Sequence, residues 1–127
     1  MPISFDLVTI DSPATDELAR FWAAALDLIE TEREDVDRWI VLSSADGVRR
    51  IGIQRGVTRP GSLHLDVACT PDEFDVEWAR LISLGARSLG DARHESYGSI
   101  VNLVDPDGNP FDLCAYVDQL PYSHDDA

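Results

Sequence analysis

The chain has 127 residues, of which 44% are hydrophobic and 27% are charged, and its formal net charge at pH 7 is −14. This length suits a single domain with its own core, and the composition excludes an intrinsically disordered protein. No apolar run approaches the roughly 18 residues of a membrane span. Because an acidic surface also repels nucleic acid and anionic lipid, we expect neither nucleic acid nor a membrane as a partner.

Cysteine usage and the N-terminus bear on the cellular compartment. The two cysteines, Cys69 and Cys114, are too few for a disulfide framework, and we expect both to be buried thiols. Residues 1–6 lack the basic start and the apolar stretch of a secretory signal. We therefore expect a cytoplasmic protein.

The first half of the chain reads as a strand, a helix and three further strands. A strand over residues 3–10 precedes a helix for which Ser12 suits the N-cap and Pro13 the first helical position. An apolar stripe at helical spacing follows: Leu18, Phe21, Trp22, Ala25 and Leu26. Short strands are predicted at about residues 29–33, 38–43 and 49–55, the last two joined by the hairpin sequence Ser44-Ala45-Asp46-Gly47.

The second half repeats this order. A strand over residues 62–68 precedes Thr70-Pro71-Asp72-Glu73, whose threonine and glutamate have the spacing of a capping box. The helix then carries Phe74, Trp78, Leu81 and Ile82 on one face and ends at Gly85. The predicted strands 99–104 and 110–115 flank the turn sequence Asp105-Pro106-Asp107-Gly108-Asn109. Matching landmarks lie 58 to 61 positions apart, as from Ser12 to Thr70 and from Asp46 to Asp107, which indicates a duplication.

We therefore predict an α+β fold of two tandem β-α-β-β-β modules that form a curved mixed sheet around a cup, with the helices on the outer face. Module one spans residues 1–56, a linker spans 57–61 and module two spans 62–117. Residues 118–127, which include His124, form an acidic C-terminal tail. Trp22 and Trp78 are expected in the core.

Strand alternation predicts which side chains leave the helix-packed layer. In residues 63–67 the three aliphatic side chains face the helices, so His64 and Asp66 face the other way. The same argument places Asp112 and Cys114 on that open face. It packs the following apolar residues against the helices: Ile40, Leu42, Ile51, Ile53, Phe111 and Leu113. The predicted ligand-binding lining of the cup is Phe5, Leu7, Trp39, Val41, Gln54, Asp66 and Tyr97, together with His64 and Asp112.

The polar segment 91–98 has two interpretations. It either covers the mouth of the cup, where His94 and Tyr97 would meet the ligand, or forms a solvated loop.

Several segments resemble a known superfamily. Residues 105–113, Asp-Pro-Asp-Gly-Asn-Pro-Phe-Asp-Leu, are similar to the C-terminal signature of the glyoxalase/bleomycin-resistance/extradiol dioxygenase (vicinal oxygen chelate) superfamily. Residues 62–67 resemble the opening strand of its second module, and Leu18-Ala19-Arg20-Phe21-Trp22 is most similar to its glyoxalase-like subset. The resemblance covers essentially the whole chain and implies the fold, but a fold does not specify an activity.

The resemblance also implies where a metal would lie. Enzymes of this superfamily hold a divalent ion such as Zn, Ni, Mn or Fe on the first and last strand of each module, and the substrate oxygens fill its open positions. The matching positions here are Phe5, Gly52, His64 and Asp112. Because phenylalanine and glycine have no ligating side chain, only two ligands remain, fewer than catalytic sites use. Possible substitutes, each displaced by one pleat, are Gln54, Asp66 and Cys114. We expect no metal, with His64 and Asp112 as ligands if one binds.

His64 and Asp112 have three possible roles. Without a metal, a neutral His64 paired with Asp112 is a candidate general base, since the carboxylate would fix the imidazole tautomer. The pair would otherwise contact a ligand without chemistry, or only satisfy neighbouring polar groups.

Three functions follow from these observations. The first is a bleomycin-resistance-type protein that binds a small molecule in the cup without the full metal site. The second is a lyase, isomerase or dioxygenase, either metal-dependent or using His64 and Asp112. The third is a partner-binding or regulatory module with a vestigial cup. Dimerisation through sheet edges fits all three, and we expect a homodimer.

Overall fold

The computed structural model of the protein describes residues 5–60 and 64–117. Across these residues it has two α-helices and nine strands, and the predicted α+β fold is confirmed. Residues 3 and 4 of the predicted first strand, Leu63 and the tail with His124 lie outside the described residues.

The first module forms a four-stranded sheet covered on one face by a helix. Its elements are β1 (Val8–Ser12), α1 (Thr15–Leu26), β2 (Ile29–Glu34), β3 (Trp39–Ser43) and β4 (Arg50–Arg55). The strand order is β1-β4-β3-β2, with β1 parallel to β4 and the other pairs antiparallel. The three strands predicted after the helix are therefore present with nearly the predicted bounds.

The start of α1 differs from the prediction. Ser12 ends β1 and Ala14 is the N-cap, so the helix begins two residues after Pro13. A residue before proline is held in extended backbone, which keeps Ser12 in the strand. Its hydroxyl accepts a hydrogen bond from the Ala14 N–H at 3.0 Å and donates one to Asp107 Oδ2 at 2.6 Å. Ser12 thus contacts the second module instead of capping the helix.

The second module contains the other helix and five strands. Its elements are β5 (Leu65–Ala68), a 3₁₀ turn (Pro71–Glu73), α2 (Phe74–Leu84), β6 (Arg87–Ser88), β7 (Arg93–Glu95), β8 (Gly98–Val104) and β9 (Pro110–Tyr116). The sheet order is β5-β9-β8-β6, and β7 also pairs with β8. The first strand after α2, which the sequence did not locate, is thus two short pieces.

The capping signals of the second helix are confirmed. The Glu73 carboxylate accepts hydrogen bonds from the Thr70 N–H at 3.2 Å and the Thr70 hydroxyl at 2.7 Å. Gly85 has a positive φ of 122° at the C-terminus of α2, where a residue with a side chain would be strained.

One core runs through both modules on the helix side of the sheets. Trp22 is 1% exposed, and its ring lies 5.0 Å from that of Phe111, in the edge-to-face geometry that aromatic pairs favour. Trp78 is partly buried against Phe74 at 6.0 Å. Six of the apolar residues predicted to face the helices are buried in this core: Ile40, Leu42, Ile51, Ile53, Phe111 and Leu113.

Polar contacts reinforce the junction between the modules. The buried Asp105 carboxylate accepts a hydrogen bond from Trp22 Nε1 at 3.2 Å. Arg80 of α2 donates to the carbonyls of Ala24 and Ala25 at 2.9 and 2.8 Å, which supplies a cation to the C-terminal turn of α1. In the described part of the chain, no helix is long and apolar enough to cross a bilayer, the longest having 12 residues.

Candidate functional site

The open face of the second sheet brings three potential ligand groups together. His64 precedes β5, Asp66 lies two residues further on the same face, and Asp112 is opposite Asp66 on β9. His64 Nε2 lies 3.6 Å from Asp66 Oδ1 and 3.8 Å from Asp112 Oδ2. One ligand atom from each of the three residues lies within 4.8 Å of the others. Asp66, which is one pleat away from the ligand position implied by the resemblance, therefore lies beside His64 and Asp112.

Two residues that the sequence analysis missed complete this face. Asn102 is opposite Asp112 in the β8–β9 hairpin, and its Nδ2 donates a 2.5 Å hydrogen bond to Asp112 Oδ1. Arg93 Nη1 donates in turn to Asn102 Oδ1 at 3.3 Å. The Asn102–Asp112 pair was accessible from the sequence, because a hairpin that closes on Val104 and Pro110 places residues 102 and 112 opposite each other.

Further along β9 the face becomes aromatic. Tyr116 lies two pleats beyond Asp112, with its ring centroid 6.1 Å from that of Tyr97. A hydrogen bond to Cys114 raises the pKa of Tyr116 to about 12, and burial raises the pKa of the Cys114 thiol. Tyr97 is therefore half of a tyrosine pair beside this end of the face.

The two cysteines differ in position. Cys114 is buried on the open face, whereas the partly buried Cys69 contacts the core on the helix side. Cys69 lines a cavity of about 260 Å³ between α1, α2 and the second sheet. Its pKa is raised to about 11, first by burial and then by Glu73 and Glu77. Such a raised pKa leaves little thiolate at neutral pH. Cys114 is buried as expected, whereas Cys69 is only partly buried.

The open face of the first sheet is apolar where the family would place a metal ligand. Gly52 pairs with Thr9 and Val41 and is covered by the indole of Trp39. A Cβ at position 52 would lie 2.9 Å from Trp39 Cζ3, nearer still to Cη2, and 3.2 Å from Leu7 Cδ1. Trp39 Nε1 donates to Glu32 at 3.3 Å, which fixes the ring over the glycine.

The predicted lining residues are only partly brought together. A cleft of about 160 Å³ lies between the sheet edges β1 and β5. Of the residues that were predicted to line the cup, all of which the structure describes, only His64 borders this cleft. Leu7, Trp39 and Val41 lie on the open face of the first sheet, and Gln54 is exposed on it. Phe5 is 78% exposed. The candidate site therefore consists of two surfaces, a mainly apolar one on the first sheet and a polar one on the second.

The alternative that placed His94 at the ligand is wrong. His94 is in β7 opposite Ser99, whose own partner across the sheet is the core residue Ala115. Its ring centroid lies 6.2 Å from that of Phe74, on the helix side, and its Nδ1 is 2.7 Å from Ser99 Oγ. The error arose because segment 91–98 contains a strand whose side chains alternate between the two faces.

The donor set has a defined chemical capacity. A histidine nitrogen and two carboxylates suit a divalent ion such as Zn, Mn or Fe with open positions, or a cationic group on an organic ligand. Phe5 and Gly52 have no side-chain atom that could ligate this ion. Without a metal, His64 and Asp112 lie too far apart for a direct hydrogen bond and would act together only after a small movement or through water.

The chain has recognisable relatives. Residues 7–114 match the family model described as a glyoxalase-like domain. A search of curated proteins finds no significant match.

Solved structures share the fold at low sequence identity. A glyoxalase/bleomycin resistance protein/dioxygenase family enzyme from Burkholderia phytofirmans PsJN is 17% identical, with a TM-score of 0.75 over 88% of this chain and 98% of that one. The fosfomycin resistance protein FosX from Listeria monocytogenes is 18% identical, with a TM-score of 0.74 over 91% and 94%. A glyoxalase-related enzyme from Fulvimarina pelagi is 20% identical, with a TM-score of 0.71 over 88% and 87%. The chain belongs to the glyoxalase-like domain family, whose model it matches over most of its length.

Proposed function

We propose that this protein binds a small molecule across the open faces of its two modules, without the four-ligand metal centre of its superfamily. The observation that carries the proposal is the packing of Trp39 over Gly52. No ligating side chain fits at position 52 unless the indole moves, so the first module presents an aromatic wall where the superfamily presents metal ligands.

The second module supplies the polar part of the proposed site. An apolar wall with a few convergent polar groups is the usual composition of a small-molecule site. Asp66 and Asp112 favour a ligand with a cationic or hydrogen-bond-donating group. Trp39 favours a ligand with a flat apolar part, and its ring would also attract a cation. The net charge of −14 attracts the same class of ligand at longer range. We therefore expect a planar organic cation.

A binding titration with ethidium, a planar aromatic cation, tests the proposal. We expect Trp39→Leu and the double variant Asp66→Asn/Asp112→Asn each to weaken binding by about tenfold or more, the effect of losing one good contact to a charged group. The matched control is Asp72→Asn/Asp75→Asn, which makes the same change in net charge on the helix side. Equal weakening by both double variants would show that overall charge, and not a site, holds the cation.

A second candidate function rests on the His64, Asp66 and Asp112 group. Because three ligand atoms lie within 4.8 Å of one another, the second module has the donors for one divalent ion. Such an ion would supply Lewis-acid chemistry to a lyase, isomerase or dioxygenase. Stoichiometric metal that is lost on His64→Ala would favour this function over the first.

The cellular setting and assembly of the protein are also proposals. We propose a homodimer, because β2 is an edge strand whose six residues are all exposed and an uncovered edge invites pairing. Light scattering after size-exclusion chromatography would give twice the chain mass of 14.0 kDa for a dimer. A cytoplasmic location agrees with two unpaired cysteines.

A further inference from the structure

We infer that Asn102 is a positioning residue: it holds the Asp112 carboxylate in one orientation, and Arg93 holds Asn102. The inference rests on the proposed function, because it concerns how one residue of that site is presented to a ligand. This role requires no contact between either residue and the ligand. They act through Asp112.

The side chains of Asn102 and Asp112 lie next to each other on two neighbouring strands. Asn102 and Asp112 are direct partners across the β8–β9 hairpin, on the open face shared with Asp66. The Asn102 amide donates to Asp112 Oδ1 at 2.5 Å, while Asp112 Oδ2 faces His64 Nε2 at 3.8 Å. One carboxylate oxygen is therefore engaged within the sheet, and the other is directed toward the candidate site.

Arg93 fixes the direction of the Asn102 side-chain amide. An asparagine side chain has an oxygen that only accepts and a nitrogen that only donates. Because the Arg93 guanidinium donates to Asn102 Oδ1 at 3.3 Å, the NH₂ group must point to Asp112. Arg93 thus prevents the flipped amide, in which an oxygen would face the carboxylate.

The side chains of Asp66 and Asp112 differ in how far they are restrained. The Asp112 side chain is 19% exposed and held by a neighbouring strand, whereas that of Asp66 is 64% exposed. A carboxylate whose rotation is already restricted loses less freedom when a ligand binds, so it contributes more to affinity. Asp112 is therefore the pre-organised acid of this face, and Asn102 makes it so.

The hydrogen bond can be tested without any ligand. We expect a side-chain amide proton of Asn102 to be shifted downfield in the ¹⁵N–¹H NMR spectrum of the wild-type protein, and to return toward ordinary amide values in Asp112→Ala. The resonance is assigned by its loss in Asn102→Leu. An Asn102 amide that is unaffected by Asp112→Ala would overturn the inference.

The functional consequence is tested with ethidium as the probe. We expect Asn102→Leu to weaken binding about tenfold in the wild type, and to have no further effect when Asp112 is already asparagine. A purely structural role would give the same loss in both backgrounds, and no loss in the wild type would also contradict the positioning role. If ethidium fails to bind the wild-type protein, the proposed function fails, and the NMR result alone still decides whether Asn102 positions Asp112.

Discussion

The contact between Trp22 and Asp105 gives the sharpest stability prediction. Asp105 is fully buried, and burial raises the pKa of its carboxyl group, an effect opposed by hydrogen bonds from Asn109, Trp22 and Asp107. Its Oδ1 accepts from the Asp107 and Asn109 N–H groups at 3.0 and 2.9 Å. Its Oδ2 accepts from Trp22 Nε1 at 3.2 Å and from Asn109 Nδ2 at 2.9 Å.

Asp105→Asn preserves the shape of this group but reverses half of its hydrogen bonding. The two backbone N–H groups keep the amide oxygen on their side, so the new NH₂ group faces the two donors, Trp22 Nε1 and Asn109 Nδ2. Hydrogen bonds to a charged acceptor contribute about 1.5–3 kcal/mol each, and an unsatisfied buried donor costs about 1–3 kcal/mol. Part of this is offset because a buried charge is removed. We expect a net loss of about 2 kcal/mol in the free energy of unfolding.

Urea denaturation at 25 °C and pH 7, followed by circular dichroism, measures this loss. The matched control is Asp107→Asn, the same chemical change two residues away, where the remaining amide oxygen still accepts the Ser12 hydroxyl. We expect the control to cost less than about 1 kcal/mol, the contribution of an ordinary hydrogen bond. If Asp105→Asn is as stable as the wild type, or if Asp107→Asn loses more free energy of unfolding than Asp105→Asn does, the junction between the modules does not depend on this buried carboxylate.

Three further predictions concern backbone strain, packing and ionisation. Val36 has a φ of 66° and is 84% exposed, so Val36→Gly should raise the free energy of unfolding by about 0.5–1 kcal/mol, whereas Val48→Gly, at an exposed position without positive φ, should not. Gly52→Ala should lower thermal stability in the wild type but not in a Trp39→Ala background, because the clash is with the indole; equal losses in both would contradict the proposed packing. The Cys69 thiol has its pKa raised from 9.0 to about 11 in the folded protein, so the unfolded chain loses this proton at a lower pH. The free energy of unfolding should therefore fall as the pH rises from 9 to 11. Iodoacetamide labelling of Cys69 below pH 9 should accordingly be slow in the folded protein and fast in urea, and fast labelling of the folded protein would show that the thiol is not shielded.

Local patterns in the sequence were sufficient for both helices and for most of the strands, although they did not locate β6 and β7. The Thr70–Glu73 spacing predicted a capping box that is present, and the alternation around Asp112 predicted that Phe111 and Leu113 are buried while Asp112 faces away from the helices. These features depend on residues a few positions apart, where backbone geometry alone decides the outcome.

Features that depend on distant partners could not be predicted in this way. Ser12 is a good N-cap by type, yet Pro13 holds it in the strand and its hydroxyl bonds Asp107, 95 positions away. The position of the Trp39 ring over Gly52 is a matter of side-chain packing, which strand alternation does not specify. Nothing local indicates that Arg93 reaches Asn102 from a neighbouring strand.

The metal content of the protein distinguishes a metal-free binding protein from a metalloenzyme. The protein is purified without chelator, analysed by mass spectrometry for bound metals, and then titrated with Zn, Ni, Mn and Fe(II) while its melting temperature is followed. We predict less than one metal per chain and no stabilisation that depends on His64 or Asp112. Trp39 over Gly52 leaves only the second module to hold an ion, and the side chains of His64 and Asp66 there are more than half exposed. One metal per chain that is lost in His64→Ala and Asp112→Ala would contradict this prediction, and would show that the second module alone holds a metal centre.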